Sequence, residues 1–362
     1  MDDLHLTGFA GVASRDVTLR EQNMQEVAVV GLDLAKNVFQ VHGVAADGSV
    51  VFRRQLRRGQ VLSFFDELNR CLVGIEACAS AHHWARELTS LGHEVRLMPP
   101  AYVKAYVKRG KTDAADAEAI AEAVTRPTMR FVAVKTTAQQ AVLMLHKTRD
   151  LLVRQRTMLI NALRGHLGEF GVVTPQGSAG VQAALRLIIL ERDGLPELAQ
   201  AALRGLAGQL EVLGREIEAL ERRILNWHRT DETSRRLATI PGIGPITASA
   251  MAASAPDPSL FRSGRQFAAW LGLTPRAHSS GGKELQAGIS KMGDGYLRRL
   301  LVVGATAVLR MARQRSTGSD WIRGLLDRKK PKAAAVALAN KTARIAWVLM
   351  ARKEIYAPPA AA

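Results

Sequence analysis

Hydrophobic periodicity changes character once along this chain, near Pro100, and that change restricts the folds open to it. Before Pro100 the apolar residues come in short runs of strand length. VAVVGLDLA (27–35) is a short apolar run that ends in an aspartate, and VFQVHGV (38–44) and VVFRRQL (50–56) alternate. AADGS supplies an Asp-Gly turn between the second and third, so the three runs predict an antiparallel meander. A helical stretch near 60–69, a buried strand CLVGIEA, a helix over about 81–91 and a strand HEVRLM follow. Strands followed by alternating helix and strand describe a mixed α/β layer.

After Pro100 the spacing predicts helices and no further strands. Residues 113–125 read as one helix, and 137–170 as a long amphipathic one. A second long helix over 196–229 carries Leu206, Leu210, Leu213, Ile217, Leu220 and Ile224 at three-and-four spacing. With the Gly-rich stretch 171–180 as the joint, the pair predicts an antiparallel coiled-coil arm, closed within one chain or shared by two. The expected organisation is a tail (1–25), an α/β domain (26–135), the arm (136–232), a helical domain (233–352) and a second tail (353–362).

Charge narrows the class of partner. The net charge is +17, and from residue 258 to the end 19 Lys and Arg stand against 5 Asp and Glu. A basic surface of that size attracts polyanions by counterion release, with DNA or RNA the usual partner. No run of 18 apolar residues predicts a membrane span, and the first 25 residues lack the pattern of a signal peptide. The two cysteines, Cys71 and Cys78, fit neither a zinc knuckle nor a redox pair, which points to a reduced, cytoplasmic setting.

Four carboxylates stand at positions that suit chemistry. Asp33 closes the first apolar run and Glu76 the fourth, where neighbouring strand ends converge. Asp113 and Asp116, in KTDAADAEAI, share one face of a helix start with Cβ atoms ~5–6 Å apart. Each also has a plain structural reading: Asp33 as a turn former, Asp113 and Asp116 as helix N-terminal acids favoured by the dipole. Glu76 is harder to explain that way, because a carboxylate ending a buried apolar run is costly unless paired or metal-bound. Together the four make a candidate site for Mg²⁺, whose preference is for hard oxygen ligands.

In the last third, TIPGIGPITASAMAAS (239–254) has the form of a helix-hairpin-helix. Gly242 and Gly244 would let backbone N–H groups approach a DNA phosphate, and a tight helical turn is the structural alternative.

VVGLDLAKNVFQVHG, GIEACASAHHWAREL, KTDAADAEAIAEA and the later TPRAHSSGGKELQAGISKMGDGYLRRL together resemble the DEDD-type insertion-sequence transposases. These are the insertion sequence one-ten and eleven-eleven group, related to the Piv and MooV DNA invertases. The resemblance runs from about residue 27 to 350. It implies an RNase H-like, RuvC-like mixed-sheet domain, a helical arm and a helical serine-containing transposase domain. It places Asp33, Glu76, Asp113 and Asp116 on the family's four acidic positions, as Mg²⁺ ligands. It further implies a serine nucleophile, best matched by Ser280, with Ser279 and Ser290 as competitors. His278 is a nearby base without a diagnostic spacing. Lys111, Lys283, Lys291, Arg298 and Arg299 are the expected nucleic-acid contacts, with a solvated cation as the plain alternative, the favoured one for Lys111. The acids and the serine would form a composite site, within one chain or across subunits. The resemblance also implies a structured non-coding guide RNA from the element, and a dimer or tetramer. Two rivals stand beside this reading: a RuvC-like nuclease using only the acids and water, and a non-catalytic nucleic-acid-binding protein.

Overall fold

The computed structural model describes residues 27–108, 112–189, 195–280, 283–315 and 320–358. The chain divides between Thr136 and Thr137 into two compact units.

The first unit is built on β1 (Val27–Asp33), β2 (Val38–Ala45), β3 (Val50–Arg57), α1 (Val61–Glu67), β4 (Leu72–Glu76), α2 (Ala81–Ser90), β5 (Glu94–Met98), α3 (Pro100–Val103) and α4 (Asp113–Val124). The five strands form one sheet in the order β3-β2-β1-β4-β5. β1–β2 and β2–β3 run antiparallel as the meander predicts, whereas β1–β4 and β4–β5 are parallel. Alternation sends Val30, Leu32, Phe39 and Val41 to one face, where they bury against Phe64 and Phe65 of α1 and Trp84 and Leu88 of α2. The opposite face receives α4, whose Ile120 and Val124 pack with Met98 and Val103. That helix lies unusually close to the sheet because two strand positions carry no side chain. A Cβ on Gly31 would stand 2.1 Å from the Ala117 carbonyl oxygen, and one on Gly74 would stand 2.8 Å from Val124 Cβ.

The second unit contains α5 (Thr137–Glu169), α6 (Ser178–Ile189), α7 (Glu197–Thr230), α8 (Glu232–Leu237), α9 (Pro245–Ser254), α10 (Gly264–Trp270), β6 (Pro275–Ser280), β7 (Lys283–Ile289), α11 (Gly295–Arg315), α12 (Asp320–Arg328) and α13 (Pro331–Arg352). α5 and α7 pack together antiparallel. Arg149 Nε donates to Glu221 Oε1 at 2.8 Å toward one end, and Leu163 and Leu167 bury with Leu203 and Leu210 toward the other. α6 joins that second cluster through Ala184 and Ile188. The two-helix sequence reading omits it, because twelve residues after a Gly-rich joint give too little periodicity to separate from the loop. A larger core unites Leu237, Ile243, Met251, Phe267, Leu297, Leu301 and the alanine face of α13. Among the described residues no helix is long and apolar enough to cross a membrane.

One expectation fails in this unit. Strands do not stop after Pro100: β6 and β7 pair antiparallel as a hairpin, with Ser280 opposite Lys283 and Ala277 opposite Gln286. PRAHSS and KELQAGI carry almost no apolar alternation, so a periodicity argument built on burial passes over them. Val132 also forms a lone bridge to Leu97 of the sheet.

Candidate active site

Asp33 ends β1 on the face that α4 covers. The helix starts where it does because Thr112 caps it, its side-chain oxygen accepting from Ala115 N at 3.2 Å. Asp113 and Asp116 occupy its first turn. The contact at Gly31 seats that turn over the end of β1. The consequence is a cluster in which carboxylate oxygens of Asp33, Asp113 and Asp116 all lie within 4.8 Å of one another. Glu76 ends the neighbouring parallel strand one residue beyond the Leu32–Ile75 pair, within electrostatic reach of Asp33.

The electrostatics follow from this crowding. Burial pushes the Asp33 carboxyl up to about 6, with the charges of Asp116, Asp113 and Glu76 adding to the shift and the Leu34 N–H opposing it. Burial, helped by Glu76 and Asp33, also raises the Cys78 thiol. Acids that destabilise each other's charge in a chain of net charge +17 form a donor set short of a cation. All the donors are hard oxygens, so the residues fit a divalent ion. Asp33, Asp113 and Asp116 would hold it, with Glu76 beside them.

The second unit places the remaining predicted residues differently. Ser280 ends β6 with its backbone opposite Lys283, and Ser279 is opposite Glu284. Gly281, Gly282 and Lys111 lie outside the described residues, as do the side chains of 277–287, His278 among them. Ser290 sits at the base of the hairpin, its N–H donating to Thr274 O at 2.8 Å. Lys291 is exposed, with a left-handed φ of 57°. Arg298 is engaged internally: its guanidinium donates to Leu271 O at 2.9 Å and Met292 O at 3.1 Å, bracing the loop that follows the hairpin. Arg299 pairs with Asp150 of α5 and lies over the Tyr296 ring. Gly242 and Gly244 flank the turn between α8 and α9, and they differ. Gly242, at φ +85°, has Val308 and the Gly304 carbonyl in the place a Cβ would take, whereas Gly244 is exposed with open space around it.

Sequence reasoning missed three polar residues beside the acids: Gln40, His42 and Gln55. Their signal is the alternation of β2, which puts a glutamine and a histidine on the face opposite Phe39 and Val41.

Comparison with known proteins adds a further set of findings. Residues 30–171 match a family described as a transposase, the DEDD type of the IS110 group, and residues 234–318 match the "Transposase IS116/IS110/IS902 family". A Pseudomonas aeruginosa protein named "Probable family 20 transposase" is 54% identical over 332 residues, covering 91% of this chain and 98% of its own. The transposase for insertion sequence element IS1328 of Yersinia enterocolitica is 41% identical, covering 92% and 99% respectively. The transposase for insertion sequence element IS1111A of Coxiella burnetii is 40% identical, covering 93% of both chains.

Proposed function

The chain belongs to the IS116/IS110/IS902 family of transposases, and from that premise we propose that it cuts and rejoins DNA with a Mg²⁺-dependent four-acid site and a serine nucleophile. The observation that carries this reading is the convergence of Asp33, Asp113 and Asp116 carboxylates within 4.8 Å. A DEDD transposase domain implies a divalent metal, and Mg²⁺ suits an all-oxygen donor set. Such an ion would stabilise negative charge on the attacking and leaving oxygens of phosphoryl transfer.

The serine in this reading is Ser280. Its hydroxyl oxygen forms a bond to the scissile phosphorus and gives its proton to solvent, while the bond from phosphorus to the DNA oxygen breaks and that oxygen takes a proton from solvent to leave as a strand-end hydroxyl. A hydroxyl of the incoming strand then attacks the phosphoserine diester and releases Ser280. One phosphodiester is exchanged for another, so no external energy source enters. In support, Ser280 ends β6 at the hairpin turn, beside Gly281 and Gly282 in the sequence, and small residues let a phosphate approach.

The same reading has the helix-hairpin-helix sequence grip the DNA backbone at Gly244, and an element-encoded guide RNA choose the sites. It has two or more copies hold the recombining duplexes. The basic last third of the chain supports a second polyanion.

The test is a trapping assay with element-end DNA, the RNA co-transcribed with the gene, and Mg²⁺, run on a denaturing gel. The expected result is a covalent protein–DNA band, absent in Ser280→Ala and in Asp33→Ala. Nicked DNA without an adduct would instead favour a nuclease that uses water.

A further inference from the structure

On the face of the sheet covered by α4, strand pairing lays two rows of side chains across three strands. Asp33 of β1 stands opposite Gln40 of β2, and Gln40 opposite Gln55 of the edge strand β3. In the second row, two residues along each strand, Gly31 stands opposite His42, and His42 opposite Arg53. Residues two apart on a strand share a face, so both rows look toward α4. The helix backbone fills the space over Gly31. Over β2 and β3, Ala114 and Ala117 are too small to do the same. What remains is a pocket of about 100 Å³ lined by Gln40, His42, Arg53, Gln55, Ala114 and Ala117.

His42 is 2% exposed, and its Nδ1 has no hydrogen-bond partner among the described residues. An unpaired buried nitrogen of this kind is costly for the fold. Burial and the adjacent Arg53 hold the imidazole below its usual range, so the ring is neutral and Nδ1 can carry a proton to donate. Arg53 reaches Glu118 at 3.3 Å with one terminal nitrogen, and Lys108 holds the other oxygen of the same carboxylate at 2.8 Å. That leaves further guanidinium N–H groups of Arg53 for a ligand. The Gln40 and Gln55 amides add donors. A donor-rich pocket therefore begins one strand, about 5 Å, from Asp33.

We propose that this pocket binds a phosphodiester of a DNA strand, next to the phosphate presented to the Asp33 cluster. The proposal rests on reading that cluster as the place where DNA is cut. A phosphodiester carries acceptors and no donors, which matches Arg53 and the two amides that line the pocket, with His42 Nδ1 an unpartnered nitrogen buried in its wall. It also gives the strand a hold that needs no metal, beside a cluster whose own charge repels phosphate until a cation neutralises it.

The test is binding of the full-length protein to fluorescein-labelled oligonucleotides that span the mapped cut position, in EDTA. Each oligonucleotide has one phosphate replaced by a neutral methylphosphonate. One replacement beside the scissile phosphate is expected to weaken wild-type binding about tenfold, or ~1.4 kcal/mol. Gln55→Ala and His42→Asn are expected to bind the unmodified strand about tenfold more weakly and to show no further loss at that one linkage. Gln55 is exposed, so its variant reports even where the buried His42 variant fails to fold. Equal losses in wild type and Gln55→Ala at every linkage would overturn the proposal. Cleavage by Asp33→Asn in Mg²⁺ is read separately. A wild-type rate there would sink the cutting site while leaving the binding profile of the pocket standing.

Discussion

The Cβ that Gly31 lacks would fall 2.1 Å from the carbonyl oxygen of Ala117, so the end of β1 and the first turns of α4 meet backbone to backbone. That contact sets the height at which Asp113 and Asp116 sit over Asp33. Gly31→Ala is therefore expected to cost about 3 kcal/mol, the upper end for overpacking, and to weaken divalent-ion binding with it. Gly74→Ala meets side-chain atoms that can shift, Val124 Cβ first at 2.8 Å, and should cost less. Urea titrations of both variants, with calorimetric metal titration, check the ranking. An equal loss in the two would contradict it.

Asp33 is destabilised by burial and by its acidic neighbours. In metal-free protein its carboxyl, at about 6, binds a proton more tightly than in the unfolded chain. Stability therefore falls as pH rises from the ordinary carboxylate range through 6, and the whole penalty stands at pH 7. Asp33→Asn should raise the melting temperature in EDTA, and the stabilisation expected of added Mg²⁺ in the wild type should be lost in the variant. A melting temperature in EDTA below that of the wild type would count against charge repulsion at this position.

His146 is 1% exposed and neutral in the fold: Tyr296 OH donates to Nδ1 at 3.1 Å, and Nε2–H donates to Ser249 Oγ at 3.1 Å. The Ser249 hydroxyl in turn donates to Pro245 O at 2.7 Å. Burial first, and Arg149 second, lower the imidazole from 6.5 to about 4. The unfolded chain binds the extra proton first, so stability is full above pH 6.5 and declines toward pH 4. The shift corresponds to ~3 kcal/mol at the acid end. His146→Gln should flatten that part of the pH–stability curve, measured by chemical denaturation between pH 4 and 8.

Arg298 and Lys291 separate folding from DNA contact. Arg298→Ala strands the carbonyls of Leu271 and Met292 and should cost ~1–3 kcal/mol of stability. Lys291→Ala, at an exposed position, should stay within about 0.5 kcal/mol. If it touches phosphate, it should also reduce the salt dependence of DNA binding by about one counterion. Melting curves and salt-dependent anisotropy check the pair.

Gly242 and Gly244 make a similar contrast inside one turn. Gly242→Ala combines a positive φ with a Cβ 2.9 Å from Val308 and 3.0 Å from the Gly304 carbonyl, and it should destabilise by ~1–3 kcal/mol. Gly244→Ala meets nothing and should leave the melting temperature unchanged. Any loss of DNA affinity in Gly244→Ala then reports on backbone contact with DNA.

Much of the sheet unit was legible because β1, β2, β4 and β5 carry buried apolar residues at strand spacing, and β3, which buries only Leu56, follows from the Asp-Gly turn before it. The i, i+3 spacing of Asp113 and Asp116 was equally readable. Their grouping with Asp33 was expected as a candidate metal site and from the family resemblance, but the contact that seats them over it was not, since it depends on a glycine on one element and a carbonyl on another. The row from Asp33 through Gln40 to Gln55 was hidden for the same reason, because cross-strand register is a property of the folded sheet. The β6–β7 hairpin escaped because its strands are polar, although Gly281-Gly282 between them is a recognised two-residue turn signal. Arg298 read as a surface cation because its partners are backbone carbonyls, which leave no mark in a sequence.

Among the described residues the sheet ends on β3, and that strand exposes Arg53, Arg54 and Arg57. An open strand edge invites the edge of another sheet to pair with it, and charge is a common deterrent. Under the phosphate-pocket proposal, the same arginines would draw a nucleic-acid strand to this border and discourage a second sheet from pairing with it. Stripping them to alanine would remove the attraction and the deterrent at once. Replacing them with glutamate would keep the chain dispersed and isolate the loss of nucleic-acid affinity.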